Sequence, residues 1–365
     1  MSNFFSVDVD KNRVFGLDFL RAFAIFCVMH GHAGFMLNGT AFEFMTSLPL
    51  PHGVDIFFIM SGFLIGKSFI SYLEKNSNRL GREKILKFYG RTALRILPNY
   101  LFMLLVYYIL VSLQVVLGNL NRLPIWRFAT FTQNIFTPFW GFYWESWSLP
   151  VQWWFYIFFP LLLMLLALFS KPKKSIPWLC LFFVAFSVVY RITVEDVLTD
   201  SFRWDIWIRK TMASRVDNIY IGVLAVWVNH YFKEKWERHA VASFMIGMVL
   251  FAISLIIPHE VGTFYYDVVH LTLSALAIAF WMPVFTKWRS YKTILGAFIS
   301  KISILSYAMF LTNLCVVQII KNNYPQVIEN HGIMMYIAFW PLVIAVSYII
   351  HILVEKPFMK LRDRI

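Results

Sequence analysis

The sequence predicts an all-α polytopic membrane protein with about ten transmembrane helices and both termini in the cytoplasm. Three observations support this prediction: the composition, the number of long apolar stretches, and the distribution of Lys and Arg between them. Of the 365 residues, 59% are hydrophobic and only 15% are charged, and the mean hydropathy is +0.63. Soluble proteins hold about 25% charged residues, so the composition excludes a soluble globular domain.

Apolar stretches close to the length that a membrane helix requires, roughly 20 residues, occur about ten times along the chain. Stretch 177–191 is short for a span, the aromatic stretch 124–143 is a candidate re-entrant segment, and Pro357 is expected to stop the last helix. No soluble region of any size remains, so residues 1–365 are interpreted as one membrane domain. We expect spans at 19–37, 54–73, 93–117, 147–169, 177–191, 212–232, 241–257, 264–285, 296–320 and 333–354.

The connections between these stretches alternate between rich and poor in Lys and Arg. One alternate set, which includes both termini and the basic loop predicted at 74–92, holds 21 Lys and Arg residues, whereas the other set holds 6. Because basic residues concentrate in cytoplasmic connections, both termini are expected in the cytoplasm. The net charge of +13 comes from basic residues that this distribution places at the borders of the lipid bilayer. No nucleic-acid partner is therefore expected.

The first predicted span carries Arg21 and His32, which are eleven residues apart. At 100° per residue this spacing puts both side chains on one helical face, about 16 Å apart. Ionisable residues inside a membrane cost roughly 2.5–3.5 kcal/mol each and therefore indicate function. A membrane histidine can also be a hydrogen-bonded packing residue, and the sequence leaves both interpretations open. His30 points to another side of the helix, so the two histidines predict no metal site.

A carboxylate, Asp55, stands at the outer end of the second predicted span. It is expected within reach of His32, where a carboxylate would fix the tautomer of the imidazole and raise its basicity. Further along the same span, Ser61 and Gly62 predict a contact of small residues between two helices.

Two arginines, Arg91 and Arg95, follow the basic loop at the cytoplasmic side. Their spacing of four residues puts them on one helical face, where two guanidinium groups can hold phosphates. The alternative is contact with lipid headgroups. Arg95 fits that alternative less well, because it lies inside the predicted helix.

Five further polar or aromatic residues lie towards the outer side of the predicted spans. Tryptophans at this level can be interfacial belt residues, and an arginine close to an aspartate can be a structural ion pair. An amide in the outer half of a span is a further candidate for a binding role. These residues are Trp147, Gln152, Arg215, Asp217 and Asn313.

Seven segments occur in an order that is specific to one family: Arg21-x10-His32, GVDIFFIMSGFL at 53–64, Arg91-x3-Arg95-Ile-Leu-Pro98, WSLPVQWWFYIFFP at 147–160, Arg215-x-Asp217, SYAMFLTN at 306–313 and VEKPF at 354–358. Together they resemble acyltransferase family 3, the bacterial inner-membrane O-acyltransferases. The resemblance covers residues 14–360. The chain resembles the stand-alone form of the family, which has no extracytoplasmic hydrolase domain.

The resemblance implies transfer of an acyl group, usually acetyl, from cytoplasmic acetyl-CoA or another acyl-CoA. The implied acceptor is a hydroxyl of a cell-envelope glycan or a lipid-linked sugar. The coenzyme A phosphates would be held by basic residues at the inner side, namely Arg91, Arg95, Arg21 and Lys67. The candidate catalytic residues are His32, as general base or acyl carrier, with Asp55 to orient it and Arg21 on the same face. No metal is implied.

Two positions depart from the pattern of the family. Gln152 and Trp153 stand where members commonly carry glutamate, and Asn313 stands where a histidine is usual. Since Gln152 cannot titrate, a base or charge partner is lost at that position. The alternative function is therefore a non-catalytic transporter or flippase of a glycolipid or polysaccharide, which would move its substrate without changing the mass.

Overall fold

The computed structural model describes residues 13–76, 81–121, 124–291 and 293–365. These residues form helices and connections but no strand, which confirms the predicted all-α class. Ten helices of at least 17 residues occur within the described ranges. They are α1 (Phe15–Ala33), α2 (Gly53–Lys75), α3 (Arg82–Ser112), α4 (Ser148–Ala167), α5 (Pro172–Thr193), α6 (Met212–Tyr231), α7 (Ala240–Ile256), α8 (His270–Lys287), α9 (Ile294–Asn323) and α10 (Pro325–Ile350).

The chain is a multi-pass membrane protein. Eight helical segments within the described ranges are long and apolar enough to cross a membrane, whereas α7 is apolar but shorter and α6 is not among the eight. Helix α6 carries Arg215 and Asp217, and every residue from Ala213 to Val223 is buried. Because other helices rather than lipid surround this part of α6, it does not need an apolar composition. Each of the ten predicted spans overlaps one of the ten helices.

The predicted first residues of two helices are wrong. The basic stretch 74–92, predicted as a loop, is helical from Arg82 onwards, because α3 begins there with Glu83 in its first turn, where the helix dipole favours a negative charge. The short predicted span at 177–191 is the central part of the longer α5. This helix begins at Pro172, in a first turn that tolerates proline because the missing N–H would have no partner.

Pro357 does not stop the last helix. Helix α10 continues into a π-helical turn at His351–Glu355, and the next helix, Lys356–Arg362, carries the proline in its first turn. The stretch 124–143, predicted as a candidate re-entrant segment, forms one short helix at Ile125–Ala129 followed by turns.

Helices α2 and α6 pack backbone against backbone at two glycines. A Cβ atom at Gly62 would lie 1.9 Å from the carbonyl oxygen of Ile219, and one at Gly222 would lie 2.2 Å from the carbonyl oxygen of Ile59. Gly62 therefore confirms the predicted small-residue contact. Such contacts are typical of membrane helices, which associate by close packing because lipid is as apolar as their side chains.

We predict that Gly62→Ala destabilises the protein by about 1–3 kcal/mol, because the added methyl group has no space. Thermal unfolding in detergent micelles measures the effect. Gly90→Ala is the matched control, since a Cβ at Gly90 would meet only Cδ1 of Ile365, at 3.8 Å. Alanine favours a helix over glycine, so the control should melt at or above the temperature of the wild type. Equal melting temperatures for the two variants would contradict the close contact.

Candidate active site

Two adjoining cavities lie inside the helix bundle. The first has a volume of about 360 Å³ and is called the arginine cavity, because its lining includes Arg21, Arg91, Arg95 and Arg362. The second has a volume of about 660 Å³ and is called the histidine cavity, because its lining includes His32 together with aromatic and charged side chains. Three of the four predicted phosphate-binding residues therefore line one cavity, and the predicted base lines the other.

The two cavities meet at Val54 on α2 and Phe310 on α9. Both side chains line both cavities, and no other residue in the described part of the chain does so. Phe310 is buried. Its ring contacts the ring of Phe57 at a steep angle, with a centroid distance of 6.3 Å. This junction separates the guanidinium groups of the arginine cavity from the imidazole of His32.

The arginine cavity carries an excess of positive charge. Arg91 and Arg95 line it from the same face of α3, in agreement with their spacing, and neither forms an ion pair with another described residue. Nη1 of Arg21 lies 3.9 Å from the carboxylate of Asp18, which Arg13 also binds. Several guanidinium groups with few carboxylate partners are suited to a ligand that carries several phosphates.

Lys67 is not part of this cluster. Its side chain is exposed and lies outside the lining of the arginine cavity, which along α2 extends only to Leu64 and Ile65. Arg362, which the sequence analysis did not select, lines the cavity from the C-terminal helix, and its Nη2 atom lies 2.7 Å from Asp363. Since Arg21 and Arg362 line one cavity, the two ends of the described chain lie at the same end of the bundle.

Gln152 lines the arginine cavity and not the histidine cavity. Its Oε1 atom accepts hydrogen bonds from the hydroxyls of Ser61, at 3.3 Å, and Tyr156, at 3.1 Å. Its amide nitrogen has no hydrogen-bond partner among the described residues. The residue thus holds two neighbouring hydroxyls and can donate to a bound molecule, but it adds no charge.

His32 is oriented by an amide on α9. Its Nδ1 atom lies 2.5 Å from Oδ1 of Asn313. The Nδ2 group of Asn313 donates to the backbone carbonyls of Met309, at 2.9 Å, and Phe310, at 2.7 Å. These bonds fix the amide, so Oδ1 is an acceptor and Nδ1 of the neutral imidazole must carry the proton. Nε2 then keeps its lone pair and has no partner among the described residues, which makes it a proton acceptor.

His30 has a different role, as expected from its position on another side of α1. Its Nδ1 atom lies 2.8 Å from the hydroxyl of Tyr336, and its Nε2 atom lies 2.9 Å from the carbonyl oxygen of Met45. The ring is buried, and both nitrogens are engaged in hydrogen bonds. His30 is therefore a packing residue that ties α1 to α10 and to the connection after α1.

Asp55 does not orient His32, and the predicted contact between them is wrong. The carboxylate binds the guanidinium group of Arg215, and both side chains are fully buried. A guanidinium group carries a full positive charge, whereas a neutral imidazole offers only a dipole. In a medium of low dielectric constant the ion pair is therefore the stronger interaction.

The predicted pair of Arg215 with Asp217 is also wrong. Asp217 accepts hydrogen bonds from Arg191 on α5 and from Thr272 on α8, both at 2.6 Å. Side chains two residues apart on a helix point in nearly opposite directions and do not face each other. The two charges of α6 therefore bind different neighbouring helices.

The connection between α5 and α6 contributes charges that the sequence analysis missed. Asp205 binds Arg209 and lies 2.6 Å from Nζ of Lys210, and all three line the histidine cavity. Burial alone would raise the pKa of Asp205, but the two cations outweigh it and hold this pKa below its ordinary value. In the sequence these residues resemble any polar connection, and only the fold brings them to the cavity of His32.

Glu145 is a second residue that the sequence analysis missed. It is buried, lines the histidine cavity and accepts a hydrogen bond from Tyr107, while its other oxygen has no partner among the described residues. Trp144 and Trp147 line the same cavity; Trp147 packs edge-on against the ring of Phe58 at 6.0 Å. Indole rings beside hydrogen-bonding groups provide both an apolar surface and fixed polar contacts for a ligand.

A family model described as an acyltransferase domain, that of acyltransferase family 3, matches residues 14–354, nearly the whole chain. No curated protein and no solved structure matches the chain. Apart from Arg362 and Asp363, every residue that lines the two cavities lies within the matched segment.

We predict that Asn313→Leu releases His32 from the tautomer protonated at Nδ1, because the variant removes the only acceptor that Nδ1 has among the described residues. Nitrogen-15 NMR of histidine-labelled protein in micelles distinguishes the two tautomers, and a His32→Gln variant assigns the signal. Asn313→Asp keeps an oxygen at the same position and is the control, which should retain the Nδ1–H tautomer. Protonation of Nε2 in the neutral wild-type imidazole would contradict the orientation derived from the amide.

Proposed function

The chain belongs to acyltransferase family 3, and from this premise we propose that it moves an acyl group from cytoplasmic acyl-CoA to a hydroxyl of a glycan. The proposed acyl group is acetyl. The proposed acceptor is a cell-envelope glycan or a lipid-linked sugar on the far side of the bacterial inner membrane. The observation that carries the proposal is the junction at Val54 and Phe310 of a guanidinium-rich cavity with a cavity that holds an oriented base.

The arginine cavity is the proposed donor site. Coenzyme A carries several phosphates, which Arg21, Arg91 and Arg95 would bind as bidentate forks. Side chains such as Leu64 and Phe88 line the remainder of this cavity with apolar surface that suits the pantetheine arm. The distribution of Lys and Arg in the sequence predicts that this end of the bundle faces the cytoplasm, where acyl-CoA is found.

His32 is the proposed general base. Its Nε2 atom accepts the proton of the acceptor hydroxyl while the hydroxyl oxygen attacks the thioester carbon. The new carbon–oxygen bond forms the ester, the carbon–sulfur bond breaks, and the protonated His32 returns the proton to the sulfur, which leaves as the free thiol. Throughout, the bond from Nδ1–H to Asn313 keeps the ring in place, as an orienting residue does in hydrolase triads.

The histidine cavity is the proposed acceptor site. Its volume of about 660 Å³ is the larger of the two, which supports binding of a sugar together with part of a neighbouring unit. Trp144 and Phe202 offer apolar ring faces, while Glu145, Asp205 and Lys210 offer hydrogen bonds to hydroxyl groups. These side chains come from two connections on the same side of the bundle.

We predict that His32→Ala lowers acyl transfer by roughly 10²–10⁴-fold, the usual contribution of a general base. Mass spectrometry of envelope glycans from expressing cells measures base-labile esters with the added mass of one acetyl group. The control is His239→Ala, since His239 is exposed and far along the chain from either cavity lining. Normal ester content in a well-expressed His32→Ala variant would contradict the role of His32. Unchanged glycan mass with an altered amount of surface glycan would favour the transporter.

We predict that Arg95→Gln raises the KM for acyl-CoA by about tenfold or more with little change in kcat, because a charged hydrogen bond to phosphate is lost. Initial rates at varied acyl-CoA concentration in isolated membranes measure both constants. Lys67→Gln is the matched control. It removes one positive charge outside the cavity and should leave KM unchanged. Equal increases for both variants would assign the effect to general surface charge and not to the arginine cavity.

A further inference from the structure

We propose that Val54 and Phe310 select the acyl group by size, so that a short acyl chain reaches His32 from the arginine cavity and a longer chain does not. This inference rests on the proposed function and assigns a specificity role to two apolar residues.

The position of Val54 and Phe310 supports this proposal. Val54 and Phe310 line both cavities, and the described part of the chain has no other residue in that position. The phosphate-binding candidates lie on one side of the pair, and His32 lies on the other. A direct route from Arg95 to His32 therefore leads past the side chains of Val54 and Phe310.

Both sides of the passage between the cavities are held in place. The carbonyl oxygen of Phe310 accepts a hydrogen bond from Asn313, one helical turn further along α9, at 2.7 Å. Val54 directly precedes Asp55, which is buried and bound to Arg215. The residues that orient His32 and those that hold α2 against α6 therefore also fix the backbone on either side of the passage.

A packed protein interior is sensitive to the volume of a ligand. Protein interiors are packed as densely as organic crystals, so a passage between buried side chains does not widen freely for an additional methylene group. Apolar sites of this kind discriminate between ligands that differ by one methylene by roughly 10–200-fold. The phenyl ring of Phe310, supported by Phe57, is the largest group at the junction and therefore sets the limit.

The experiment compares acetyl-CoA with butyryl-CoA as donors for the full-length protein in membranes that contain the natural glycan. Transfer of radiolabelled acyl groups gives kcat/KM for each donor. In the wild type the acetyl group should be preferred, and Phe310→Ala should reduce the acetyl-to-butyryl ratio by roughly tenfold or more. Phe251→Ala is the matched control, because Phe251 on α7 lines neither cavity and loses the same atoms. Its ratio should equal that of the wild type.

A second variant, Phe310→Trp, narrows the passage. It should lower acetyl transfer while leaving unchanged the affinity for free coenzyme A, measured by titration in micelles. Size-exclusion chromatography verifies that each variant is folded, and Phe310→Leu replaces Phe310→Ala if the latter aggregates.

An unchanged donor ratio in folded Phe310→Ala and Phe310→Leu, or an equal change in Phe251→Ala, would overturn the size selection. Acetyl transfer by the wild type in the same experiment would uphold the proposed function. Absence of transfer from either donor in the wild type would overturn both.

Discussion

The bundle depends on the pairing of two charges that α6 carries into its centre. A membrane interior offers no water to solvate Arg215 or Asp217, so each must find a partner on a neighbouring helix. Asp55 of α2 binds the first, and Arg191 of α5 binds the second together with Thr272 of α8. Three helices, α2, α5 and α8, are thereby fixed around one buried segment of α6. The same contacts hold the start of α2, and with it one wall of the junction between the cavities.

The sequence predicted those features that depend on one helix alone. The periodicity of α1 separated His32 from His30, and the spacing of Arg91 and Arg95 put both on one face. The lengths of the apolar stretches predicted all ten long helices. Helix α3 and the C-terminal helix extend beyond the predicted limits, because charged residues and prolines are compatible with a first helical turn.

Features that depend on two distant segments were not predictable in the same way. The partner of Asp55 lies 160 residues further along the chain, and nothing in either segment states that they meet. Asp205 and Lys210 reach the histidine cavity only because the connection before α6 folds back over it. A pair between Arg215 and Asp217 is excluded by helical geometry alone, since residues two apart on a helix do not face each other.

The two residues that depart from the expected family pattern both form hydrogen bonds as neutral amides. Asn313 holds the imidazole of His32 with an amide oxygen that two backbone carbonyls keep in orientation. Gln152 accepts hydrogen bonds from two hydroxyls at the wall of the arginine cavity. An amide costs less to bury than a carboxylate because it carries no charge. The orientation of the His32 ring is therefore compatible with both substitutions.

The glycine contacts between α2 and α6 also decide which parts of the protein are able to move. At Gly62 and Gly222 the two helices touch through main-chain atoms, so no side chain between them can rotate to change their separation. The pair behaves mechanically as one rigid body, and Val54 is attached to it. Any widening of the route between the cavities must then come from the opposite side, by rotation of the Phe310 ring or displacement of α9. Because α9 also carries Asn313, such a displacement would disturb the alignment of the imidazole while the route is open and restore it on closure.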